Sequence, residues 1–293
     1  MKTKILLYNN FWEMEWNLPS ILVRDGFELI NQRAHFNEAD VVVFHMPNMD
    51  KAELEALKSQ KRETQLWVFF SMECNLHYEW HSEKAIRDLF EITMTYSNKS
   101  DIPVPYLYPG YAKQVLNAPV SKHHNVNAFI SSGFDKSDRL RILSELMGFI
   151  EIDSYGKQLN NKSLEGDQGP STKAQIISQY KFTIAFENAI AEDYVTEKFF
   201  EPLIAGSVPV YLGAPNIDDF APGDHCYVNV SSFSSVKELA LHIVNCCNDD
   251  TQYQQYLNWK NKPLKQSFMQ RLELVKNRLF LRLCDYLNER LKE

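Results

Sequence analysis

Residues 182–230, FTIAFENAIAEDYVTEKFFEPLIAGSVPVYLGAPNIDDFAPGDHCYVNV, constrain the fold more than any other part of the chain. The segment 181–186 is an almost unbroken apolar and β-branched run, the pattern of a parallel strand covered on both faces. Polar residues follow at once: Glu187, Asn188, Glu192, Asp193 and Tyr194. Thr196 then supplies an N-cap for a helix that carries Glu197 and Lys198 in its first turn. That helix ends at Ala205-Gly206, and a second short apolar strand, 208–212, is closed by Gly213-Ala214-Pro215. Pro202 removes a backbone hydrogen bond inside the helix, which predicts a short helix or one in two pieces. A strand, a polar loop and a helix start that return to a neighbouring parallel strand can hold an anionic ligand outside the carboxyl ends of the sheet. The stretch is therefore predicted to be a nucleotide site.

The rest of the chain supplies the sheets that such a junction needs. Strand-like runs at 4–9, 27–30, 40–45, 66–71 and 92–96 alternate with helical patterns at 18–24, 51–60 and 83–90, which argues for an α/β layer with a mostly parallel sheet. Residues 101–106 cannot be helical, because Pro103 and Pro105 push their predecessors to extended geometry. With Pro109-Gly110 and Ala118-Pro119 close behind, residues 101–122 are expected to end one domain and cross to the next. A second α/β run follows, with strands at 126–130 and 150–154 and helices at 137–147, 172–179, 235–247 and 251–259. Residues 157–170, rich in Asn, Gly, Ser and Asp, are expected to be a mobile loop. Residues 268–291 are expected to form one long amphipathic helix with Leu272, Leu279, Leu283 and Leu287 in a stripe. A chain of 293 residues suits two domains of roughly 150 residues each. They are set here at 1–120 on the acceptor side and 121–265 on the nucleotide side, with a C-terminal helix over 266–293.

Charge and cysteines narrow the setting. With 31 basic and 38 acidic side chains the net charge is -7, so no electrostatic footprint favours nucleic acid. The N-terminus leads straight into a strand and no apolar run approaches the roughly 20 residues of a membrane span. Neither a signal peptide nor a transmembrane anchor is expected. Five scattered cysteines, Cys74, Cys226, Cys246, Cys247 and Cys284, do not resemble a disulfide framework. A reducing cytoplasm, at most peripheral to a membrane, is the expected location, with the vicinal Cys246-Cys247 pair as buried free thiols.

Several residues can carry chemistry. Lys198 opposes the dipole of its own helix, and an anion beside it would reverse that sign. Arg139 and Arg141 both lie near the start of the helix after the 126–130 strand, so either one can reach the same carboxyl-side crevice. Glu73 follows the apolar strand 66–71, flanked by Met72 and Cys74; partial desolvation there favours its protonated form and suits it to act as a base near neutral pH. His77 and His81 are four apart, yet no third ligand stands at a recognisable spacing, so zinc is not expected. Trp12, Trp16 and Trp80 fall in loop-like sequence where an indole can face an acceptor sugar, although core packing is the commoner role for tryptophan.

At this point the residues match a known family. Phe186-Glu187-Asn188, Asp193-Tyr194-Val195-Thr196-Glu197-Lys198, Ala205-Gly206, Val208-Pro209-Val210 and Gly213 closely resemble the signature of the α-1,3-fucosyltransferases, glycosyltransferase family 10. The resemblance continues through 67–73, the proline segment 100–106 and Asp153-Ser154-Tyr155-Gly156, and covers 66–265 well and the first sixty residues poorly. It implies two Rossmann-like domains facing across a cleft, the GT-B arrangement, with GDP-β-L-fucose held by the C-terminal one. Inversion at the fucose anomeric carbon without an obligatory metal is also implied. By position, Glu73 matches the general base that deprotonates an acceptor 3-hydroxyl, while Arg139 and Lys198 match the pair that neutralises the departing diphosphate. Asn188, Tyr194 and Glu197 match donor contacts, and the resemblance extends the donor side to Ser131, Tyr155, Gly156 and Glu187. Ser131-Ser132 stands where a Ser-Asn pattern is often seen. The membrane anchor of eukaryotic members and the heptad repeats of some bacterial ones are not found, which points to a bacterial enzyme. The implied acceptor is a GlcNAc-containing oligosaccharide or glycoprotein, either the innermost N-glycan GlcNAc or N-acetyllactosamine of the Lewis type. The alternatives are a glycosyltransferase for another nucleotide sugar and a nucleotide-sugar or glycan-binding module without turnover.

Overall fold

The computed structural model describes residues 2–118, 122–164, 166 and 169–290. The chain divides into two compact units, Met1–Pro105 with Leu274–Glu293, and Tyr106–Glu273. In the first unit the strands β1 (Thr3–Leu7), β2 (Phe27–Ile30), β3 (Val41–His45), β4 (Leu66–Ser71) and β5 (Ile92–Thr95) form one sheet in the order β2-β1-β3-β4-β5. Every pairing is parallel. Both faces are buried, which is why these strands are apolar throughout instead of alternating. One face packs Leu6, Phe44 and Trp67 against Leu54 and Leu57 of helix α1 (Lys51–Lys58) and Ile86 of the short α2 (Lys84–Arg87). The other packs Leu7, Val43 and Phe70 against Phe280, Leu283 and Leu287 of the C-terminal helix Leu279–Arg290.

The second unit repeats the plan. After α3 (Tyr111–Leu116) come β6 (His124–Ala128), α4 (Arg139–Met147), β7 (Asp153–Ser154), α5 (Pro170–Ile177), β8 (Tyr180–Phe186), α6 (Glu197–Ala205), β9 (Val208–Leu212) and β10 (Val228–Asn229). Helices α7 (Val236–Asn248), α8 (Asp250–Gln255) and α9 (Gln266–Leu274) follow. The sheet order is β10-β9-β8-β6-β7, again parallel at every step. Gly156 fits only because it lacks a side chain: a Cβ there would stand 2.2 Å from the Ile130 carbonyl oxygen.

Four expectations give way to packing. Residues 18–24 make only the 3-10 turn Leu18–Ser20, uncapped and with Ile21 already extended. The strand expected at 150–154 pairs only over Asp153–Ser154, and the helix expected to run to Trp259 stops at Gln255 before a 3-10 turn. The helix expected over 268–291 is two helices, because Phe268 is buried in the second unit beside Tyr111 while Leu283 and Leu287 are buried against the first sheet. Its expected last residue, Leu291, lies outside the described residues, as do Pro119 and three positions of the 157–170 loop. For the same reason residues 266–293 are not a separate element: Leu274–Glu293 belong with the first unit. The division between units also falls earlier than residue 120. Ile102 and Val104 donate to Thr93 and Thr95 and stay with β5, at 3.0 and 2.6 Å, whereas the Tyr111 hydroxyl donates to the Phe200 carbonyl at 2.9 Å within the second unit.

Candidate active site

The carboxyl edge of the second sheet gathers most of the residues singled out from the sequence. At the end of β8, Glu187 is fully buried. Its Oε1 accepts from the Thr196 backbone N–H at 2.7 Å and its Oε2 from the Thr196 hydroxyl at 2.7 Å. One carboxylate thereby closes the 187–196 loop, while the same threonine caps α6 by accepting from the Lys198 N–H at 3.3 Å. Asp193 turns that loop with a left-handed φ of 65° and is held by Asn216, which accepts from its N–H at 2.9 Å. Tyr194 is buried with its ring edge-on to Tyr106 at 6.5 Å. Pro202 leaves α6 as a single short helix of nine residues ending at a left-handed Gly206.

The Lys198 ammonium, awkward at a helix start, is neutralised locally. It donates to Glu197 Oε1 at 2.9 Å and stands 3.7 Å from Glu187 Oε2. Burial works against its charge, but the two carboxylates prevail and hold its pKa above the usual lysine value. Burial pushes Glu187 up to about 7, with Lys198 opposing the rise. Burial also acts to raise Glu197, yet Lys198 outweighs it and keeps that carboxyl low. An anionic ligand arriving here would compete with Glu197 for a cation that is already in place.

The two arginines left open by spacing part company. Arg139 is 1% exposed and its guanidinium donates to the carbonyls of Ser132 (2.9 Å), Phe134 (2.9 Å) and Phe186 (3.3 Å), so it knits the β6–α4 loop to the end of β8. Arg141 faces solvent and pairs with Asp138 and Glu145. Two further bonds complete the stitching: Ser137 Oγ to the Glu187 carbonyl at 2.5 Å, and Lys136 N–H to the Asn188 carbonyl at 2.8 Å. Two buried polar atoms at this edge, Arg139 Nε and Asn188 Oδ1, have no partner among the described residues. Buried polar atoms are seldom left so unless something else satisfies them.

Other candidates sit elsewhere in this unit. Ser131 is exposed and accepts from Lys157 N–H at 3.3 Å. Tyr155 stacks on Phe129 at 5.0 Å, and its hydroxyl joins that of Tyr180, the first residue of β8, at 2.8 Å, which in turn donates to Asp153 at 2.6 Å. Sequence reasoning missed Asp135 and Ser137. Asp135, which accepts from the N–H groups of Arg139 (2.8 Å) and Leu140 (3.1 Å), is the side-chain cap of α4 and was legible as an acid before a helix; Ser137 acts across fifty positions and left no local signal.

In the first unit Glu73 lies two residues beyond β4, half-buried, with its N–H donating to Ser71 Oγ at 3.2 Å. It lines a cavity of about 360 Å³ at the carboxyl end of β4 and β5, together with Ser71, Asn75, His81, Arg87 and Thr95. His77 and His81 fall in separate 3-10 turns, and no cluster of metal-ligating side chains occurs among the described residues. Trp80 packs edge-on to His81, Trp16 donates to the Asn9 carbonyl, and Trp12 is 38% exposed. All five cysteines are free.

This geometry agrees with an independent match across the chain. Residues 119–293 match the model described as glycosyltransferase family 10 (fucosyltransferase) C-term, and residues 1–107 match fucosyltransferase, N-terminal. The chain belongs to glycosyltransferase family 10. Among family relatives it is similar to GDP-fucose protein O-fucosyltransferase 3 of Xenopus laevis, 36% identical over 71% of this chain and 48% of that protein. The Homo sapiens protein of that name is 34% identical over 68% of this chain and 50% of its own length. A putative fucosyltransferase-like protein of Arabidopsis thaliana is 36% identical over 78% and 44%. The chain thus spans about half the length of these curated relatives. In fold it is similar to a crystal structure of an α1,3-fucosyltransferase with GDP-fucose, at a TM-score of 0.58 and 15% identity over 95% of this chain and 91% of that one. The two parallel-sheet α/β units are the GT-B-like pair expected of the family, and no helix among the described residues is long and apolar enough to cross a membrane.

Proposed function

We propose that this family 10 chain transfers L-fucose from GDP-β-L-fucose to an acceptor hydroxyl with inversion. The observation that carries the reading is the buried carboxyl edge at the end of β8, which gathers Lys198 and Arg139 and where Arg139 Nε and Asn188 Oδ1 have no partner among the described residues, inside a family 10 match. In the proposed reaction the acceptor oxygen bonds to the fucose anomeric carbon while that carbon's bond to the β-phosphate oxygen breaks. The acceptor proton passes to the Glu73 carboxylate, and the electron pair leaves on GDP. Charge grows on the diphosphate as it departs, and cations fixed in advance lower that barrier by several kcal/mol. Lys198 and Arg139 are assigned that role, with Asn188, Tyr194 and Glu197 as donor contacts; Arg139 acts partly through the loop it knits. Asn188 Oδ1, buried and unpaired, would accept from a donor hydroxyl or a base N–H.

For the acceptor we favour a Ser or Thr hydroxyl of a polypeptide, since the relatives named protein O-fucosyltransferases are 34–37% identical to this chain. The second reading, transfer to the 3-hydroxyl of GlcNAc in a core N-glycan or a Lewis-type chain, is supported by the signature residues 186–213 and by structures alike in fold. Mass spectrometry after incubation with GDP-fucose and a panel of folded Thr-containing protein domains, N-acetyllactosamine and a chitobiose-core glycopeptide tests both. A gain of one deoxyhexose on the protein domains alone is expected; a gain only on the glycans overturns the first reading. GDP release from GDP-fucose that is the same with and without acceptor overturns fucosyl transfer, and full activity in excess EDTA is expected.

A further inference from the structure

The first unit leaves one buried polar atom unexplained on a residue that lines its carboxyl-edge cavity. His81 is 1% exposed, lines the cavity that Glu73 lines, and its Nε2 has no hydrogen-bond partner among the described residues. An unsatisfied buried nitrogen of this kind costs about 1–3 kcal/mol. Native structures tend to keep such atoms where a ligand or water satisfies them.

The ring is held and its chemistry is defined. Tyr78 stacks on it at 4.8 Å with 7° between the planes, while Trp80 (4.3 Å) and Phe69 (5.5 Å) meet it edge-on. Burial lowers its pKa to about 4 against a hydrogen bond with the Met46 backbone, and Arg87 and His45 add to the lowering. A neutral imidazole that donates through one nitrogen carries a lone pair on the other. Nε2 is therefore an acceptor that needs a donor. His45 differs: its unpaired Nδ1 lies among the rings of Phe11, Trp12 and Phe70 and away from the cavity lining.

We infer that His81 is the acceptor-positioning residue of this cavity, its Nε2 accepting a hydrogen bond from the backbone N–H of the Ser or Thr whose hydroxyl Glu73 deprotonates. The inference rests on the reading of Glu73 as the base and deepens it. A hydroxyl amino acid suits the site because its own N–H lies only a few atoms from its hydroxyl, so one residue can satisfy both groups. Ser71, Thr95 and Asn75 line the same wall, their polar atoms engaged with Glu73, Ser100 and Ser82.

The test follows the nitrogen itself. Wild-type full chain carrying ¹⁵N-histidine is titrated with N-acetylthreonine methylamide and, separately, with N-acetylglucosamine. An upfield displacement of the His81 Nε2 resonance with the threonine derivative is expected; no displacement with either probe overturns the inference, and displacement with N-acetylglucosamine alone overturns the polypeptide class. In the kinetic arm, with the protein domain that accepts fucose, His81→Phe is expected to raise the acceptor KM about tenfold, the loss of one hydrogen bond. GDP-fucose KM and kcat should stay within about twofold, and His81→Gln, which restores an acceptor oxygen, should recover most of the loss. An unchanged acceptor KM in His81→Phe overturns the inference; if that variant does not fold, His81→Gln and the titration still decide. A displaced Nε2 in a protein that transfers no fucose keeps the hydrogen bond to the threonine N–H but overturns the reading of Glu73 as base, and with it the positioning role of His81.

Discussion

A single side chain decides most at this site when it is buried beside an opposite charge. Lys198 and Glu187 are the clearest pair, 3.7 Å apart with the carboxylate fully buried. Lys198→Ala would remove the proposed charge-assisted phosphate contact and should cost about 2 kcal/mol, roughly thirtyfold in kcat/KM for GDP-fucose, with the fold kept. Steady-state kinetics check this, and an unaltered kcat/KM would take Lys198 out of the donor site. Glu73→Gln should lower kcat by about 10² to 10⁴ with GDP affinity unchanged, as expected for a lost general base; turnover near that of the wild type, measured beside GDP calorimetry, would remove it from the mechanism. The sequence placed Glu73 just beyond an apolar strand and Lys198 in the first turn of a helix capped by Thr196, and the structure has them there. What spacing left open was the choice between Arg139 and Arg141. About half a turn of helix separates a buried guanidinium bonded to three carbonyls from an exposed one paired with surface acids.

Elements matter here through their ends. The α4 start is capped by Asp135 instead of by the residue before the helix, because Asp138 is left-handed at φ 62° and makes no side-chain cap. Asp135→Ala should therefore cost about 1 kcal/mol and also loosen the loop that Arg139 knits, seen as a lower urea midpoint with a raised donor KM. Gly156 marks where the chain passes hard against the Ile130 backbone, just beyond β6. Gly156→Ala should destabilise the second unit by about 1–3 kcal/mol, the usual range for overpacking, because the obstacle is the Ile130 backbone and cannot rotate away. Urea unfolding of the full chain measures it, and wild-type stability would show that the turn has room to move. Strands β2, β4 and β9 fall where their apolar runs placed them. The helix expected at 18–24 failed because its apolar residues, Leu18, Ile21 and Val23, pack as a loop against the first core without needing a helical face.

At the scale of the whole molecule, two cores with different titratable groups predict a response to acid that differs between units. His45 and His81, both in the first unit, are lowered by burial from 6.5 to about 4. Between those values the unfolded chain binds more protons than the folded one, so stability is lost as pH falls from 6.5 toward 4, by about 2 kcal/mol for each histidine at pH 5. In the second unit Glu187, raised to about 7, binds its proton more tightly when folded and gains stability as pH falls, while His242, lowered by burial, opposes it. Four of the five tryptophans, Trp12, Trp16, Trp67 and Trp80, lie in the first unit, so urea unfolding followed by tryptophan fluorescence reports mainly on that unit. Its midpoint should drop from pH 7 to pH 5, less steeply in His81→Gln; a midpoint that does not move with pH would mean these histidines are not buried neutral. The sequence by itself determined the parallel α/β class, the polar junction after β8 and its capped helix, because those follow from runs and signals within about twenty residues. Only the tertiary structure decided that the last helix returns to the first sheet, that Tyr155 spends its hydroxyl on Tyr180, and that His81, whose Nε2 has no partner among the described residues, lines the same cavity as Glu73. These depend on which distant side chains meet in a closed interior, and no local pattern of apolar and polar residues carries that information.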